Sequence, residues 1–248
     1  MKGIAIILSG GTGSRMNMEI PKQYVRVGDR MIITESIIPF MECELVDGIQ
    51  IVAEKTWRDR ICADLRTQES ISSCGFSSPG ANRQLSILNA LRDIRQDMED
   101  DDIVIIHDAA RPLVTTEMIT AYINAICEKS PAERSDTAEI LHDGVMPVIS
   151  MKDTVYYSEN GCSVDKLLER DKLYAGQAPE VFRYGKYLDA CERLLPDKIM
   201  DIRGSTEPAI LAGMDIVMVP GDGKNFKITT RDDLDRYREI VESKKQGI

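Results

Sequence analysis

The 248-residue chain has few of the side chains from which zinc sites are built. It contains only two histidines, His107 and His142, and its six cysteines form no Cys-x-x-Cys pair. Zinc sites usually draw four such ligands from closely spaced motifs. The composition therefore argues against a zinc site and is typical of a protein whose thiols stay reduced.

Long apolar runs and an excess of positive charge are also missing. No stretch approaches the roughly 18 consecutive apolar residues of a membrane-spanning helix, and the apolar run in MKGIAIILSG is too short for a secretory signal. The 41 acidic residues outnumber the 31 basic ones, giving a net charge of −10. Because nucleic acids and anionic membranes bind electropositive surfaces, we expect a cytoplasmic protein that binds neither.

Strand-like and helix-like segments alternate along most of the chain. The apolar pattern predicts strands at 4–8, 49–53, 103–106 and 216–219, and helices at 31–41, 56–66, 83–94, 116–128, 184–195, 206–212 and 231–243. Thr56 is the expected N-cap of the second helix, and Thr230 or Asp232 that of the last. The alternation predicts a single α/β domain over 1–248, with a mostly parallel sheet flanked by helices.

The segment 145–176 departs from this alternation. VMPVISMKDTVYY reads as a strand, ENG supplies a turn, and CSVDKLLERDKLYAG returns, which predicts a projecting β-arm. A two-stranded hairpin cannot bury both of its faces alone. We therefore expect the arm to contact a second subunit and the chain to form a homodimer.

Three distinctive loops are expected at one edge of the sheet. LSGGTGSRM, HDAARP and PGDGKNFKITT each follow or end a predicted strand. Ligands of open parallel sheets bind at the carboxyl ends of the strands. The three loops are therefore expected to form one site.

The first loop matches neither common nucleotide fingerprint. Met16 stands where a dinucleotide fingerprint has its third glycine, and the chain has no Walker A string. Gly11 and Gly13 could still present backbone N–H groups to phosphate oxygens, with Arg15 and Lys22 adding positive charge. A plain strand-to-helix turn with two solvated cations is the alternative.

The other two loops offer a carboxylate and further cations. Asp108 follows an apolar strand, so its carboxylate could bind a hard cation together with phosphate oxygens. Arg111 could orient that carboxylate or bind a substrate phosphate, and Lys227 would add positive charge. An N-cap aspartate with an adjacent ion pair is the alternative for Asp108, and His107 is expected to pack rather than act as a base.

A fourth string, GANRQLSILNAL, begins a predicted helix. Gly80 permits close backbone approach, so a base or ribose could be bound near Gly80 and Asn82 with help from Arg83 or Ser86. A helix start with a capping role explains the same letters.

Taken together, these strings resemble those of the cytidylyltransferases that activate sugar-alcohol phosphates. LSGGTGSRM with PKQY, GANRQLSI, IHDAARP, the DT of MKDTVYY, LYAGQAPEVF and GKNFKITTRDDL occur in the order of that family, from residue 3 to about 240. The resemblance implies a Rossmann-like nucleotidyltransferase fold with a dimerising β-arm. It also implies transfer of CMP from CTP to a polyol phosphate, with Mg²⁺ required and pyrophosphate released.

The resemblance also implies a role for each matched residue. Those expected to hold the nucleotide are Leu8, Ser9, Gly10, Gly11, Thr12, Gly13, Gly80, Asn82, Arg83 and Ser86. Those expected in catalysis are Arg15, Lys22, Asp108 and Lys227, with Asp108 as the Mg²⁺ ligand. Those expected to meet the polyol phosphate are Arg111, Thr154, Arg170, Thr206 and Lys227.

Two strings on the acceptor side depart from the family pattern. Gln177-Ala178-Pro179-Glu180 replaces the usual Q-T-P-Q, and Ser205-Thr206-Glu207-Pro208 replaces T-D-[DEA]. The implied acceptor is 2-C-methyl-D-erythritol 4-phosphate, for isoprenoid precursor synthesis. Ribitol 5-phosphate or another polyol phosphate, for a cell-surface glycan, is the alternative. A CTP-binding protein without catalysis is a third possibility, and a dinucleotide-dependent oxidoreductase a fourth.

Overall fold

Buried aliphatic strands form the centre of the molecule. The computed structural model describes residues 1–11, 20–66, 74–127 and 142–245. The strands are β1 (Gly3–Leu8), β2 (Arg26–Val27), β3 (Arg30–Met31), β4 (Gly48–Val52), β5 (Cys74–Ser77), β6 (Ile103–Asp108), β7 (Gly144–Ser150), β8 (Tyr156–Tyr157), β9 (Lys166–Leu167), β10 (Tyr174–Gly176), β11 (Glu180–Arg183) and β12 (Ile216–Pro220).

The central sheet is mixed, with parallel strands in the middle. Its order runs β5-β4-β1-β6-β11-β7, and β10 and β12 also pair with β7. The pairs β5/β4, β4/β1, β1/β6 and β7/β12 are parallel, whereas β11 is antiparallel to both β6 and β7. Leu8 lies opposite Asp108 in the register, so the loops after β1 and β6 begin at the same edge.

Helices cover both faces of this sheet. They are α1 (Ile32–Met41), α2 (Lys55–Leu65), α3 (Arg83–Asp93), α4 (Thr116–Ala125), α5 (Tyr184–Glu192), α6 (Glu207–Leu211) and α7 (Arg231–Lys245). Along β1, Ala5 and Ile7 pack into the core with α1, α2 and α4, while Ile4 and Ile6 pack into the core with α3 and α5. This alternation is the period-two pattern of a strand buried on both faces. The predicted α/β architecture with a mostly parallel centre is confirmed.

The position at which α2 begins contradicts one of the expected N-caps. Thr56 lies inside α2, which begins at Lys55 after Glu54, and no side chain caps it. The expectation of a Thr56 cap is therefore wrong, because the chain turns into the helix earlier than the threonine. Thr115 caps α4 by accepting from the Met118 N–H. Of the two residues expected to cap the last helix, Thr230 caps α7 by accepting from the Asp233 N–H at 3.2 Å.

The predicted arm contains a short hairpin of exposed residues. Strands β8 and β9 pair with each other as an antiparallel ladder, whereas β7 and β10 belong to the central sheet. Tyr156, Val164 and Leu167 in this hairpin are 59%, 67% and 63% exposed. The projecting part is thus shorter than 145–176 and lies between β7 and β10.

Among the helices in the described part of the chain, none is long and apolar enough to cross a membrane.

Candidate functional site

A pocket of about 540 Å³ opens at the carboxyl ends of β1 and β6. Its lining includes the following residues that the sequence predicted: Leu8, Ser9, Gly10, Gly11, Lys22, Gly80, Asn82, Arg83, Ser86, Asp108 and Lys227. It also includes Gln23, Glu54, Pro79, Ala81, Ala110 and Thr229, which the sequence analysis did not select. Thr12, Gly13 and Arg15 lie outside the described residues.

The start of the glycine loop is held from behind by the PKQ motif. Gln23 donates from Nε2 to the carbonyl oxygens of Ser9 and Gly11, both at 2.7 Å. Tyr24 donates its hydroxyl to the Ser9 carbonyl at 3.0 Å. A Cβ on Gly10 would lie 2.7 Å from the Cβ of Pro79, so the two loops can approach this closely only with glycine there. Gln23 therefore fixes the shape of the glycine loop. The sequence signal for this role is that the PKQ string follows the glycine loop.

The loop before α3 uses its polar side chains to hold itself together. Asn82 caps α3 by accepting from the Leu85 N–H at 2.8 Å and donates from Nδ2 to the Ile199 carbonyl at 2.9 Å. Ser86 accepts from the Gly80 N–H at 3.0 Å and donates to the Asn82 carbonyl at 2.8 Å. The capping interpretation of this string is thus confirmed, and the same residues line the pocket.

Asp108 lies at the base of the pocket among three cations. Lys227 Nζ and Arg83 Nη2 contact its carboxylate oxygens at 2.9 and 3.1 Å, and Arg111 Nε lies 3.6 Å away. Burial alone would raise the pKa of Asp108, but the positive charges of Arg83, Lys227 and Arg111 outweigh it and hold the pKa well below the usual range. The carboxylate is therefore ionised at neutral pH.

Two neighbours of Asp108 lie behind the pocket wall. Arg111 donates from Nη1 to the Asn225 carbonyl at 2.7 Å and does not line the pocket. His107 is fully buried and packs against Phe40 with ring centroids 5.1 Å apart. Burial lowers the pKa of His107 to about 4, so the ring is neutral. This environment fits the expectation that His107 packs.

The other residues assigned to the acceptor lie away from this pocket. Thr154 and Arg170 are exposed on the arm, where Arg170 donates to the Lys152 carbonyl at 3.1 Å. Thr206 is buried and donates its hydroxyl to Glu180 Oε1 at 2.5 Å. Within one chain, the structure therefore brings Lys227 and the nucleotide residues together but does not bring Thr154, Arg170 or Thr206 to them.

The charges of the pocket suit a polyanion. Lys22, Arg83 and Lys227 line the pocket. The acidic side chains among its described lining residues are Asp108 and Glu54. Within the described ranges, no three His, Cys, Asp or Glu side chains cluster as ligands for a metal ion. Asp108 could hold a divalent cation together with oxygen ligands from a bound molecule, which is the usual arrangement for Mg²⁺ with substrate phosphates.

Comparison with known proteins agrees with this geometry. The chain is 32% identical over 231 residues to the 2-C-methyl-D-erythritol 4-phosphate cytidylyltransferase of Clostridium beijerinckii, covering 93% of this chain and 94% of that protein. It is 28% identical to the ribitol-5-phosphate cytidylyltransferase of Lacticaseibacillus paracasei, covering 97% and 98%. It spans 58% of the longer bifunctional enzyme IspD/IspF of Maricaulis maris.

A solved structure shares the fold. The 4-diphosphocytidyl-2C-methyl-D-erythritol synthase of Anaerococcus prevotii superimposes with a TM-score of 0.77 at 22% identity, covering 97% of this chain and 96% of that one. A model of the IspD family, 2-C-methyl-D-erythritol 4-phosphate cytidylyltransferase, matches residues 4–243. The chain therefore belongs to the IspD family of cytidylyltransferases, a class of nucleotidyltransferase.

Proposed function

We propose that this chain transfers CMP from CTP to 2-C-methyl-D-erythritol 4-phosphate in the pocket built around Asp108. The observation that carries the proposal is the contact of Lys227 and Arg83 with one ionised carboxylate, beside a glycine loop at a sheet edge. Such a pocket combines cations for a triphosphate with a carboxylate for its metal ion.

The chemistry needs charge neutralisation more than a base. A phosphate oxygen of the acceptor forms a bond to the α-phosphorus of CTP, and the bond from that phosphorus to the bridging oxygen of the β-phosphate breaks. Pyrophosphate leaves with the electron pair. Because the acceptor phosphate is already anionic, Lys22 and Lys227, with Arg15 in the glycine loop, would stabilise the growing negative charge.

The nucleotide would lie between the two loops. The glycine loop (Leu8 to Gly13 in sequence) would hold the triphosphate, and the backbone around Gly80 and Asn82 would hold the base and ribose. Asn82 and Ser86 support this role by fixing the loop rather than by offering free side chains. Arg83 reaches the same space from the start of α3.

Mg²⁺ would be held by Asp108 together with phosphate oxygens. When bound, it supplies charge neutralisation and orients the triphosphate. The geometry fits this use because Asp108 lies at the pocket and is kept ionised by its neighbours.

The acceptor-binding site would be completed by residues of a second subunit. Thr154 and Arg170 lie on the arm rather than at the pocket of their own chain. In a homodimer, the exposed β8–β9 hairpin of one subunit could pack against the other subunit and bring Thr154 and Arg170 to that subunit's pocket. We place this dimer in the cytoplasm, which agrees with six cysteines that are all free.

Pyrophosphate release tests both the reaction and the acceptor. The protein is incubated with CTP, Mg²⁺ and either 2-C-methyl-D-erythritol 4-phosphate or ribitol 5-phosphate, and kcat/KM is measured for each. We expect the first acceptor to give the higher value. A higher value for ribitol 5-phosphate would assign the alternative named by the L. paracasei relative. No release with these two acceptors or with any further polyol phosphate supplied in the same assay, despite thermal stabilisation by CTP, would indicate a binding protein without catalysis.

A further inference from the structure

Lys227 is carried by a loop whose position is not set by regular secondary structure. The loop joins β12, which ends at Pro220, to α7, which begins at Arg231. From this loop, Lys227 Nζ reaches Asp108 Oδ2 at 2.9 Å. The place of this cation in the pocket therefore depends on the contacts that hold residues 221–230.

A buried glutamine outside the pocket holds the first turn of the loop. Gln177 is 8% exposed and does not line the pocket. Its Oε1 accepts from the Asp222 N–H at 3.0 Å, and its Nε2 donates to the carbonyl oxygens of Asp222 and Asn225 at 3.0 and 3.3 Å. A Cβ on Gly221 would collide with Oε1, so the turn can approach this closely only with glycine there. One side-chain amide thus satisfies three backbone groups of the turn.

The residue after Gln177 holds the same turn. Asn225 is fully buried, and its Nδ2 donates to the Ala178 carbonyl at 2.8 Å. Gln177 is itself fixed to the central sheet, because its N–H donates to the Pro147 carbonyl of β7 at 2.8 Å. The pair Gln177-Ala178 therefore fastens Asn225, two residues before Lys227, to the sheet.

The segment after β6 fastens the loop from the other side. Arg111 donates from Nη1 to the Asn225 carbonyl at 2.7 Å. The Ile228 N–H donates to the Ala110 carbonyl at 2.9 Å. The backbone on both sides of Lys227 is thus tied to residues that the structure holds in place around the pocket.

We propose that Gln177 is a positioning residue that holds the Lys227 loop at the pocket, acting through the backbone of Asp222 and Asn225. The inference rests on the proposed function in one respect, because Lys227 is taken to stabilise the charge that grows in the transfer step. A cation displaced by about 1 Å can lose much of its effect on a transition state. Loss of the Gln177 amide is therefore expected to slow the transfer only while Lys227 is present to be displaced.

The test is a double-mutant cycle on Gln177 and Lys227, with kcat/KM measured for the better of the two acceptors. We expect Gln177→Ala to lower kcat/KM about tenfold in the wild-type background and less than about twofold in the K227A background. A merely structural role would lower kcat/KM equally in both backgrounds. That result would overturn the inference, as would an unchanged kcat/KM in Q177A.

Gln50→Ala is the matched control. Gln50 is also 8% exposed and also donates from its side-chain amide, with Nε2 to Ser77 Oγ at 2.7 Å, but it lies on β4. We expect Q50A to change kcat/KM less than about twofold in either background. A loss in Q50A equal to that in Q177A would assign the effect to the truncation of any buried amide and would overturn the inference.

Amide hydrogen exchange without ligand separates this inference from the proposed function. The Ile228 N–H, followed by NMR relative to the amides of β1, is expected to exchange several-fold faster in Q177A but not in Q50A. This result would support the positioning even if the wild-type protein released no pyrophosphate. Unchanged exchange at Ile228 in an active protein would overturn the inference and leave the proposed function standing. If Q177A did not fold, Gln177→Met, which keeps the volume but removes the donor and the acceptor, would be measured in its place.

Discussion

At the scale of single residues, the pocket depends on how one carboxylate is shared. Asp108 has Lys227, Arg83 and Arg111 around it, at 2.9, 3.1 and 3.6 Å. A triphosphate entering the pocket would compete with Asp108 for Lys227 and Arg83. The side chain of Lys227 is more exposed than that of Arg111, so Lys227 can move to a ligand more easily.

Replacement of Lys227 by alanine is expected to impair transfer far more than folding. The variant loses a cation that would neutralise transition-state charge, and kcat/KM should fall by about 10²–10³-fold. The fold should persist because Arg83 and Arg111 still face Asp108. Steady-state kinetics and thermal unfolding measure the two effects.

Lys224→Ala is the control for this substitution. Lys224 lies on the same loop but is exposed and does not line the pocket. Equal losses of kcat/KM in the two variants would contradict a direct role for Lys227.

The sequence predicts the residues of this site better than their connections. Asp108 and Lys227 could be found because each follows an apolar strand in a distinctive string. The contact of Glu180 with Ser205 could not be found, because it joins residues 25 positions apart through tertiary packing. Glu54 was missed because an isolated exposed glutamate after a strand has no motif to mark it.

At the scale of elements, α7 illustrates how a helix is started by a few side chains. Asp233 accepts from the backbone N–H groups of Thr229 and Thr230, both at 2.8 Å, while Thr230 accepts from the Asp233 N–H. This is a capping box with aspartate in the place of glutamate. It anchors the helix immediately after the loop that carries Lys227.

The capping box predicts a pH-dependent loss of stability in Asp233→Asn. Burial alone would raise the pKa of Asp233, but the hydrogen bonds from Thr229 and Thr230 outweigh it and lower the pKa to about 2. Because the pKa of Asp233 is lower in the folded protein than its unfolded value near 3.9, the ionised carboxylate stabilises the fold above that pH. This stabilisation is lost as the pH falls towards 2. The free energy of unfolding of the variant should therefore be about 1–2 kcal/mol lower than that of the wild type at pH 7. This difference should shrink to about half by pH 3.

Urea unfolding at pH 7 and pH 3 measures this difference. Asp235→Asn is the control, because Asp235 forms an exposed ion pair with Arg238 on the same helix and is expected to matter less. A difference between D233N and wild type that stayed constant from pH 7 to pH 3 would contradict the capping account.

Element boundaries were predictable where apolar period and caps coincided. Strands β1 and β6 and helices α3 and α4 match their predicted starts within a residue. Strands β5 and β11 were not predicted, because CGFS is short and EVFR carries charged residues at both ends. In β11 those charges are buried with partners that only the tertiary structure supplies: Glu180 with two hydroxyls, and Arg183 with the Asp101 carbonyl at 2.9 Å.

At the scale of the whole molecule, the arm is the feature that a single chain does not explain. Leu167 and Val164 are more than 60% exposed on a two-stranded hairpin. Such a ribbon is marginal in water unless its apolar side chains are covered. A second copy would cover them and would bring Thr154 and Arg170 near a pocket.

Leu167→Glu is expected to convert a dimer into a monomer. Light scattering should give about twice the chain mass of 27.8 kDa for the wild type and about the chain mass for the variant. The reason is that a buried, unpaired carboxylate would destabilise the interface. Activity should fall in parallel if the arm completes the acceptor site.

Leu211→Glu is the control on α6, where Leu211 is also 63% exposed but lies outside the arm. A monomeric wild-type protein at micromolar concentration would contradict the dimer, as would dissociation by L211E with an intact dimer in L167E.

The most direct test of the account is the fate of isotopically labelled acceptor phosphate. The protein is given CTP, Mg²⁺ and 2-C-methyl-D-erythritol 4-phosphate whose phosphate oxygens are ¹⁸O, and the products are analysed by mass spectrometry. Direct attack on the α-phosphorus predicts a CDP-polyol that retains every label, together with unlabelled pyrophosphate in equal amount. Pyrophosphate release that does not depend on the acceptor, or labelled oxygen in the pyrophosphate, would contradict it.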